Sequence, residues 1–322
     1  MDAVLWIAFA VLIAALLALD LFVVHREDEE ITTRQALLWT GFYSVLALLF
    51  SLAVHAMYDA DWFAASPEAG DGAKAALDFL TAWVVEKSLS LDNIFIIALV
   101  FVAFDVPAKL QHRVLFWGVI GALVMRGLMI AAGTALLQQL AWMTYVFGAI
   151  LLATAVRMLV AHEETIEPRK NPFVRLCAKI LPVDDHFYGR HFVTRQGGVL
   201  IVTRLGLALI VVESSDLLFA VDSIPACFAV TTDPFLVFTS NAFAVLGLRS
   251  LYFALAGMLH RFRYLKTSLV FVLAYVGVKM LLVHAYPIPS VVSLAVIVGT
   301  LALGITASVV RTRSPHDTGS DP

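Results

Sequence analysis

Apolar runs of about 20 residues recur from one end of this chain to the other, and each is long enough to cross the hydrocarbon core of a bilayer. The sequence of 322 residues is 61% hydrophobic and only 15% charged, which excludes an ordinary soluble globule. It therefore predicts an all-α fold, a polytopic transmembrane bundle of about nine helices. The spans lie roughly at 4–24, 35–57, 76–104, 114–137, 142–160, 198–221, 235–258, 268–286 and 290–310.

Lys and Arg are divided unevenly between the two sets of alternate loops. One set contains 15 of them, whereas the other contains Lys74 alone. Because basic loops stay in the cytoplasm, the N-terminus is predicted to lie outside and the C-terminus inside. The formal net charge of -3 offers no field that would attract nucleic acid, so the lipid bilayer is the expected partner.

The long loop 161–197 mixes charged residues with three prolines and separates the chain into two halves. We predict a single integral membrane domain over 1–313, with one repeat at about 76–160 and a second at about 198–286. Residues 314–322 are polar and Pro-rich, which predicts a disordered tail.

Two acidic motifs, one in each half, align with each other. Residues 86–94 (EKSLSLDNI) and 216–224 (DLLFAVDSI) share an acid, a second acid six residues later, and Asn or Ser before Ile. An arginine inside apolar sequence follows in each half, Arg126 in the first and Arg249 in the second. The loop charges give the third and sixth spans opposite directions, so the repeats are predicted to have inverted topology, a recurrent plan of transporters.

Carboxylates inside a membrane are costly, so they face a partner, a cavity or a functional ion. Carboxylate, amide and hydroxyl oxygens suit Mg, Ca or Mn rather than copper or zinc. The alternative is a structural role, with the acids neutralised by charge partners such as Arg126 and Arg249. The candidate metal ligands are Glu86, Asp92, Asn93, Glu213, Asp216, Asp222, Ser223 and, in the first span, Asp20.

Asp92 and Asp222 each follow a partner acid by six residues, about 120° round a regular helix. A break in each helix would let the paired carboxylates point the same way. Pro225 removes a backbone donor near Asp222 and favours such a break. We therefore predict broken helices at Asp92 and Asp222.

Motifs of enzymes are missing from the sequence. It contains no Walker, nucleophile-elbow, GxGxxG or HExxH motif in a credible context, so we expect neither catalysis nor a permanently bound cofactor. Cys177 and Cys227 have no spacing that indicates redox chemistry. The histidines of the loop, His162, His186 and His191, fit a solvated charged loop better than a metal sensor.

The motif residues resemble those of a known family. Residues 85–95 (VEKSLSLDNIF) and 213–225 (ESSDLLFAVDSIP) closely resemble the TerC family of integral membrane proteins. Residues 231–235 (TTDPF), 239–241 (TSN) and 246–249 (LGLR) resemble its Alx branch. The resemblance implies a multi-pass protein of the bacterial cell inner membrane, linked to tellurium resistance and, for the Alx branch, to manganese export. It also implies functional acids at Asp20, Glu86, Asp92, Glu213, Asp216 and Asp222.

Our leading hypothesis is that the protein is a secondary exporter of a divalent cation, with Mn(II) as the first candidate. The ion would cross through an acidic site near the midplane of the membrane. Two alternatives stay open. One is a non-transporting membrane scaffold that recruits stress-response partners through loop 161–197, and the other is an exporter of a small organic cation. The sequence sets neither the coupling ion nor the oligomeric state.

Overall fold

The computed structural model of the protein describes residues 2–23, 32–63, 66–140, 142–160, 172–184, 186–255, 264–283, 285–286 and 288–312. The predicted tail and the loop residues 161–171 lie outside these ranges. Within the ranges the chain forms helices and one short β-hairpin. The elements are α1 (Asp2–Val23), α2 (Thr33–Asp59), α3 (Gly72–Ala103), α4 (Ala108–Gln139), α5 (Met143–Val160), α6 (Pro172–Ile180), β1 (Val193–Gln196), β2 (Val199–Val202), α7 (Arg204–Phe228), α8 (Pro234–Leu246), α9 (Leu248–Leu255), α10 (Leu265–Leu282) and α11 (Ser290–Thr312).

The predicted all-α membrane fold is confirmed. Each predicted span corresponds to one long helix, apart from 235–258, which α8 and α9 share. Six helical segments in the described ranges are long and apolar enough to cross a membrane. The helices with the acidic motifs, α3 and α7, are not among those six, so their place in a membrane depends on partners for their charges.

Three pairs of helices join the two halves of the chain. Helix α3 packs on α8, α4 packs on α7, and α5 packs on α10. This is the pattern that a two-fold relation between two helical units produces, because the first helix of each unit meets the second helix of the other. The segment formed by α8 and α9 lies at the centre of the bundle. Of its membrane-spanning stretch 94% is buried, against 17% to 44% of the stretch in each of the other five candidate spans.

The loop charges predict which helix ends share a side of the membrane. In the structure, helix ends with the same predicted side lie close together. On one side, the ring of Trp6 in α1 lies 5.2 Å from the ring of Phe235 at the start of α8. On the other, Arg204 at the start of α7 forms an ion pair of 2.6 Å with Asp105, which follows α3. We name these the outer and inner sides, after the predicted orientation of the chain.

The predicted span 198–221 begins too early. Residues 199–202 pair with 193–196 in an antiparallel hairpin, whose turn is made by Gly197 and Gly198 with φ of 55° and 84°. Glycine adopts such angles without a steric penalty. Thr203 then caps α7, since its Oγ1 accepts a hydrogen bond from the Gly206 amide at 3.1 Å. The prediction failed because a short apolar run fits a strand and a helix equally. The loop therefore extends further than predicted, and Asp222 lies inside α7 and not at its end.

The helix breaks predicted at Asp92 and Asp222 are wrong. Helix α3 is continuous through Asp92, and α7 is continuous through Asp222 and through Pro225 in its last turn. The proline removes one backbone hydrogen bond, but the other groups keep theirs because no water in the membrane would replace them. The interruption lies elsewhere, at Gly247 between α8 and α9.

Candidate functional site

A buried arginine on α4 lies where four helices meet. Arg126 is 1% exposed and donates to both carboxylate oxygens of Asp216 on α7, from Nε at 3.2 Å and from Nη2 at 2.9 Å. Its Nη1 forms a close ion pair with Glu86 on α3 and donates to Asn241 Oδ1 on α8 at 3.0 Å. We name these four residues the Arg126 cluster. One guanidinium thus connects acids from both predicted repeats through charge-assisted hydrogen bonds.

Two more side chains contact this cluster. Asn93 on α3 donates from Nδ2 to Asp216 Oδ1 at 3.2 Å. The Cys227 thiol on α7 lies between Glu86 Oε2, at 4.0 Å from Sγ, and Asn241 Nδ2, at 3.4 Å. The Asn241 amide therefore touches α4 through its oxygen and α7 through its nitrogen, which attaches the middle of α8 to the cluster.

Glu213 adds a third carboxylate one turn before Asp216 on α7. It packs against Gly121 of α4, and a side chain at that glycine would overlap the carboxylate. Its Oε2 atom is buried and has no hydrogen-bond partner in the part of the chain that the structure describes. A buried polar atom without a partner is costly, so Glu213 is a carboxylate that a ligand could satisfy.

A small cavity lies beside Asp216, between α3, α4 and α7. Its volume is about 20 Å³, enough for one water molecule or one bare metal ion. Asn93, Ser215 and Asp216 supply its polar lining. The Oδ1 atom of Asn93 is buried and makes no hydrogen bond to any described residue. These three polar side chains border a space of the size of an ion, and the rest of its wall is apolar.

The second acid of each motif lies apart from the Arg126 cluster. Because α3 and α7 are regular, Asp92 and Asp222 are turned about 120° from Glu86 and Asp216. Asp222 Oδ1 accepts a hydrogen bond of 2.6 Å from Thr154 on α5. Asp92 is half-buried and makes no hydrogen bond to the cluster within the described ranges. The neighbouring Ser223 is buried, and its hydroxyl has no partner among the described residues.

Asp20, a candidate ligand of the same metal ion as the motif acids, lies away from the Arg126 cluster. It is 5% exposed and forms a close ion pair with Arg249, which is 1% exposed. An Arg249 Nη also donates to the Asp20 carbonyl at 3.0 Å. This pair ties α9 to the inner end of α1, so both predicted charge partners, Arg126 and Arg249, bind carboxylates.

A polar cluster lies outside the membrane spans, in the described part of the inner loop. Asp184 accepts a hydrogen bond from the Tyr188 hydroxyl at 2.5 Å, and its other oxygen lies 2.6 Å from His186 Nδ1. These two contacts hold the pKa of Asp184 below its usual range. Both oxygens are engaged by neighbouring residues, which stabilises the turn before the hairpin. His162 and Asp185 lie outside the described residues.

The structure thus brings together Glu86, Asn93, Glu213 and Asp216, while it separates Asp20, Asp92 and Asp222 from them. In the described ranges, no group of three or more His, Cys, Asp or Glu side chains is arranged to hold a metal ion. Arg126 lies between Glu86 and Asp216 instead.

Comparison with known proteins agrees with the motif residues. A model of the integral membrane protein TerC family matches residues 71–316. The chain belongs to the TerC family. A membrane protein of Myxococcus xanthus is 44% identical over 317 residues, which are 98% of this chain and 95% of that protein. The Escherichia coli K12 protein named "Putative membrane-bound redox modulator Alx" is 46% identical over 301 residues, 93% of this chain and 92% of that one. No solved structure matches the chain.

Sequence reasoning missed three residues at the site of this TerC protein. Asn241 and Cys227 contact the cluster although neither belongs to an acidic motif. Gly121 makes room for Glu213. The signal for Asn241 was present, since 239–241 is a run of three polar residues inside an apolar span. Gly121 and Cys227 carry no such signal, because only the packing of α4 and α7 places them beside carboxylates.

Proposed function

We propose that this TerC protein exports a divalent cation, with Mn²⁺ as the first candidate, across the bacterial inner membrane by a secondary mechanism. The proposal takes the N-terminus as outside and the C-terminus as cytoplasmic, so that transport runs from the inner to the outer side. The protein would then serve metal homeostasis or resistance to tellurium as a transporter and not as an enzyme. The metal is its substrate, not a resident cofactor.

The observation that carries the proposal is a group of three carboxylates inside the bundle, of which Glu86 is buried and Glu213 and Asp216 are partly buried. Glu86, Glu213 and Asp216 approach each other from two helices, and the guanidinium of Arg126 contacts only two of them. Glu213 Oε2 and Asn93 Oδ1 remain without hydrogen-bond partners among the described residues. Buried negative charge and free oxygens favour a cation, since an unpaired carboxylate in hydrocarbon is expensive.

The ligand chemistry and the space available favour a metal ion over an organic cation. Oxygen ligands alone suit Mg²⁺, Ca²⁺ and Mn²⁺. The cavity of about 20 Å³ admits one small ion, whereas the side chain of a cationic amino acid needs several times that volume. The outer side also has a larger cavity of about 400 Å³, lined by Ser66, Thr134, Gln138 and Asp233, where a hydrated ion could leave.

Arg126 supports a mechanism of alternating access. Its guanidinium pairs with both Glu86 and Asp216 in this conformation and offsets one of their two negative charges, whereas a bound divalent cation would supply two positive charges. An exchange of Arg126 for the cation would therefore change how α3, α4, α7 and α8 are held together. Movement of two repeats about a shared midplane site is the usual way in which inverted-repeat transporters expose that site to each side in turn.

Glu213→Gln is the sharpest test, because Glu213 makes no ion pair with any residue that the structure describes. We expect cells that express the wild-type protein to retain less Mn²⁺ than cells without it, and Glu213→Gln to abolish that difference while the protein still accumulates. Asp61→Asn is the matched control: it makes the same chemical change at an exposed acid with φ of 52°, a conformation that Asn tolerates well.

Two results would contradict the proposal. The first is equal Mn²⁺ retention with and without the wild-type protein. The second is full export by Glu213→Gln together with Mn²⁺ uptake into proteoliposomes at the wild-type rate. Competition of Mn²⁺ uptake by lysine, but not by Mg²⁺ or Ca²⁺, would instead favour an exporter of an organic cation.

A further inference from the structure

The most buried span of the protein is interrupted in its middle. Helix α8 ends at Leu246, and Gly247 separates it from α9, which begins at Leu248. The last carbonyls of α8 lack partners within their own helix and form the negative end of its dipole. Such carbonyls attract a cation, and they do so strongly where no water competes.

A lysine from α3 supplies that cation. Lys87 Nζ donates to the carbonyl of Ala244 at 3.2 Å. The ammonium lies beside Gly247, where an added Cβ would come within 2.5 Å of Nζ, so the glycine leaves the space that the ammonium fills. No carboxylate pairs with Lys87 among the residues described. The end of α8 is therefore the only described group that holds this positive charge.

Lys87 is also the direct neighbour of Glu86 along α3. Glu86 belongs to the Arg126 cluster, and that cluster holds α8 through Asn241, one turn before Ala244. Helix α8 is thus attached to the acidic site at two adjacent points, once through Arg126 and once through Lys87. A change in the charge of the site acts on both attachments.

We propose that Lys87 is the charge-balancing residue of the transport site. While the site is empty, its ammonium offsets the excess of carboxylates and holds the carbonyl end of α8. A divalent cation bound among those carboxylates repels the ammonium, since like charges act on each other over a longer distance in a medium of low dielectric constant than in water. The repulsion releases α8 at Gly247 and so couples binding to movement. This inference rests on the proposed export of a divalent cation.

Lys87→Gln separates the charge from the hydrogen bond, because the amide can still donate to Ala244 while the positive charge is gone. In purified protein we expect Lys87→Gln to bind Mn²⁺ about tenfold more tightly by calorimetry, since the repulsion is lost. In proteoliposomes we expect both the KM and the maximal rate of uptake to fall, because binding no longer releases α8. Lys87→Arg keeps the charge and should restore values near those of the wild type.

Lys74→Met is the control, since it removes a half-exposed lysine from the outer end of the same helix. We expect it to leave the KM for Mn²⁺ unchanged. A Lys87→Gln protein that folds with unchanged Mn²⁺ affinity, or one in which only the amount of protein falls, would overturn the role proposed for Lys87 and leave the export proposal intact. Wild-type protein that neither binds nor transports Mn²⁺ would refute both. If Lys87→Gln does not accumulate, the Lys87→Arg variant tests the proposal instead. A KM of Lys87→Arg for Mn²⁺ that differs from the wild-type value by more than about tenfold contradicts a role that depends on charge alone.

Discussion

Arg126 lies in the continuous helix α4 and binds acids of both predicted repeats, whereas Arg249 lies in α9, directly after the interruption at Gly247. Arg249 binds Asp20 of α1, which belongs to neither repeat. The two arginines occupy matching places in the aligned halves of the sequence. In the fold they hold different parts of the molecule together.

The difference follows from the backbone around each arginine. An unbroken α4 presents Arg126 to α3, α7 and α8 at once. In the second half of the chain, the break between α8 and α9 separates two attachments. Helix α8 is attached to the Arg126 cluster through Asn241, and α9 is attached to α1. One half therefore provides a fixed centre, and the other provides a segment whose two parts are anchored to different neighbours. Similar sequence positions need not perform the same task after one helix is interrupted.

Removal of the guanidinium of Arg126 should have the largest effect. Arg126→Met leaves the buried Glu86 and the partly buried Asp216 without their partner, and we expect a loss of about 3 to 5 kcal/mol in the free energy of unfolding. Arg249→Met leaves one such carboxylate and should cost less, about 2 kcal/mol. Denaturant unfolding in detergent measures both. Equal losses would mean that the two arginines are equivalent and that the contrast drawn above is wrong.

A double-mutant cycle sharpens the comparison further. We expect Asp20→Asn and Arg249→Gln to be coupled by about 1 to 3 kcal/mol, because the two side chains contact each other. Asp20→Asn and Arg126→Gln should be additive within about 0.5 kcal/mol, since Asp20 lies outside the Arg126 cluster. Strong coupling in the second pair would place Asp20 in the same electrostatic unit as the central acids.

Gly121→Ala tests the close packing near Arg126. The added methyl group overlaps the Glu213 carboxylate, so we expect a loss of about 1 to 3 kcal/mol and weaker binding of Mn²⁺. Gly41→Ala is the matched control, since no described atom outside its own helix backbone and chain neighbours lies within 4 Å of the position that its Cβ would take. Thermal unfolding and calorimetry provide the two measurements. Equal stability of the two variants would show that Glu213 moves away freely.

Asp92→Asn should have the smallest effect on stability. Asp92 is half-buried and lies apart from the Arg126 cluster, so we expect a change within about 0.5 kcal/mol. Its effect on Mn²⁺ retention should also be weaker than that of Glu213→Gln. Loss of export as complete as that of Glu213→Gln would restore Asp92 to the ion site that the motif alone suggested.

The sequence by itself determined the membrane class and the approximate spans, and it predicted the division into sides. These depend on local properties, the length of an apolar run and the charge of the loop beside it, so they can be recognised without a fold. The acidic motifs also predicted the candidate site, because a charge within an apolar run is conspicuous wherever its partner lies. The limit of local pattern appeared at 199–202, where four apolar residues fitted either a helix or a strand.

Only the tertiary structure decided which charges meet. Asp216 binds Arg126, 90 positions away, and Arg249 binds the Asp20 carbonyl across 229. The break expected at the aspartates lies at Gly247, and Gly121 admits a carboxylate that no motif connects to it. Such pairings depend on how regular helices rotate and pack, since the direction of a side chain around a helix has meaning only beside its neighbours.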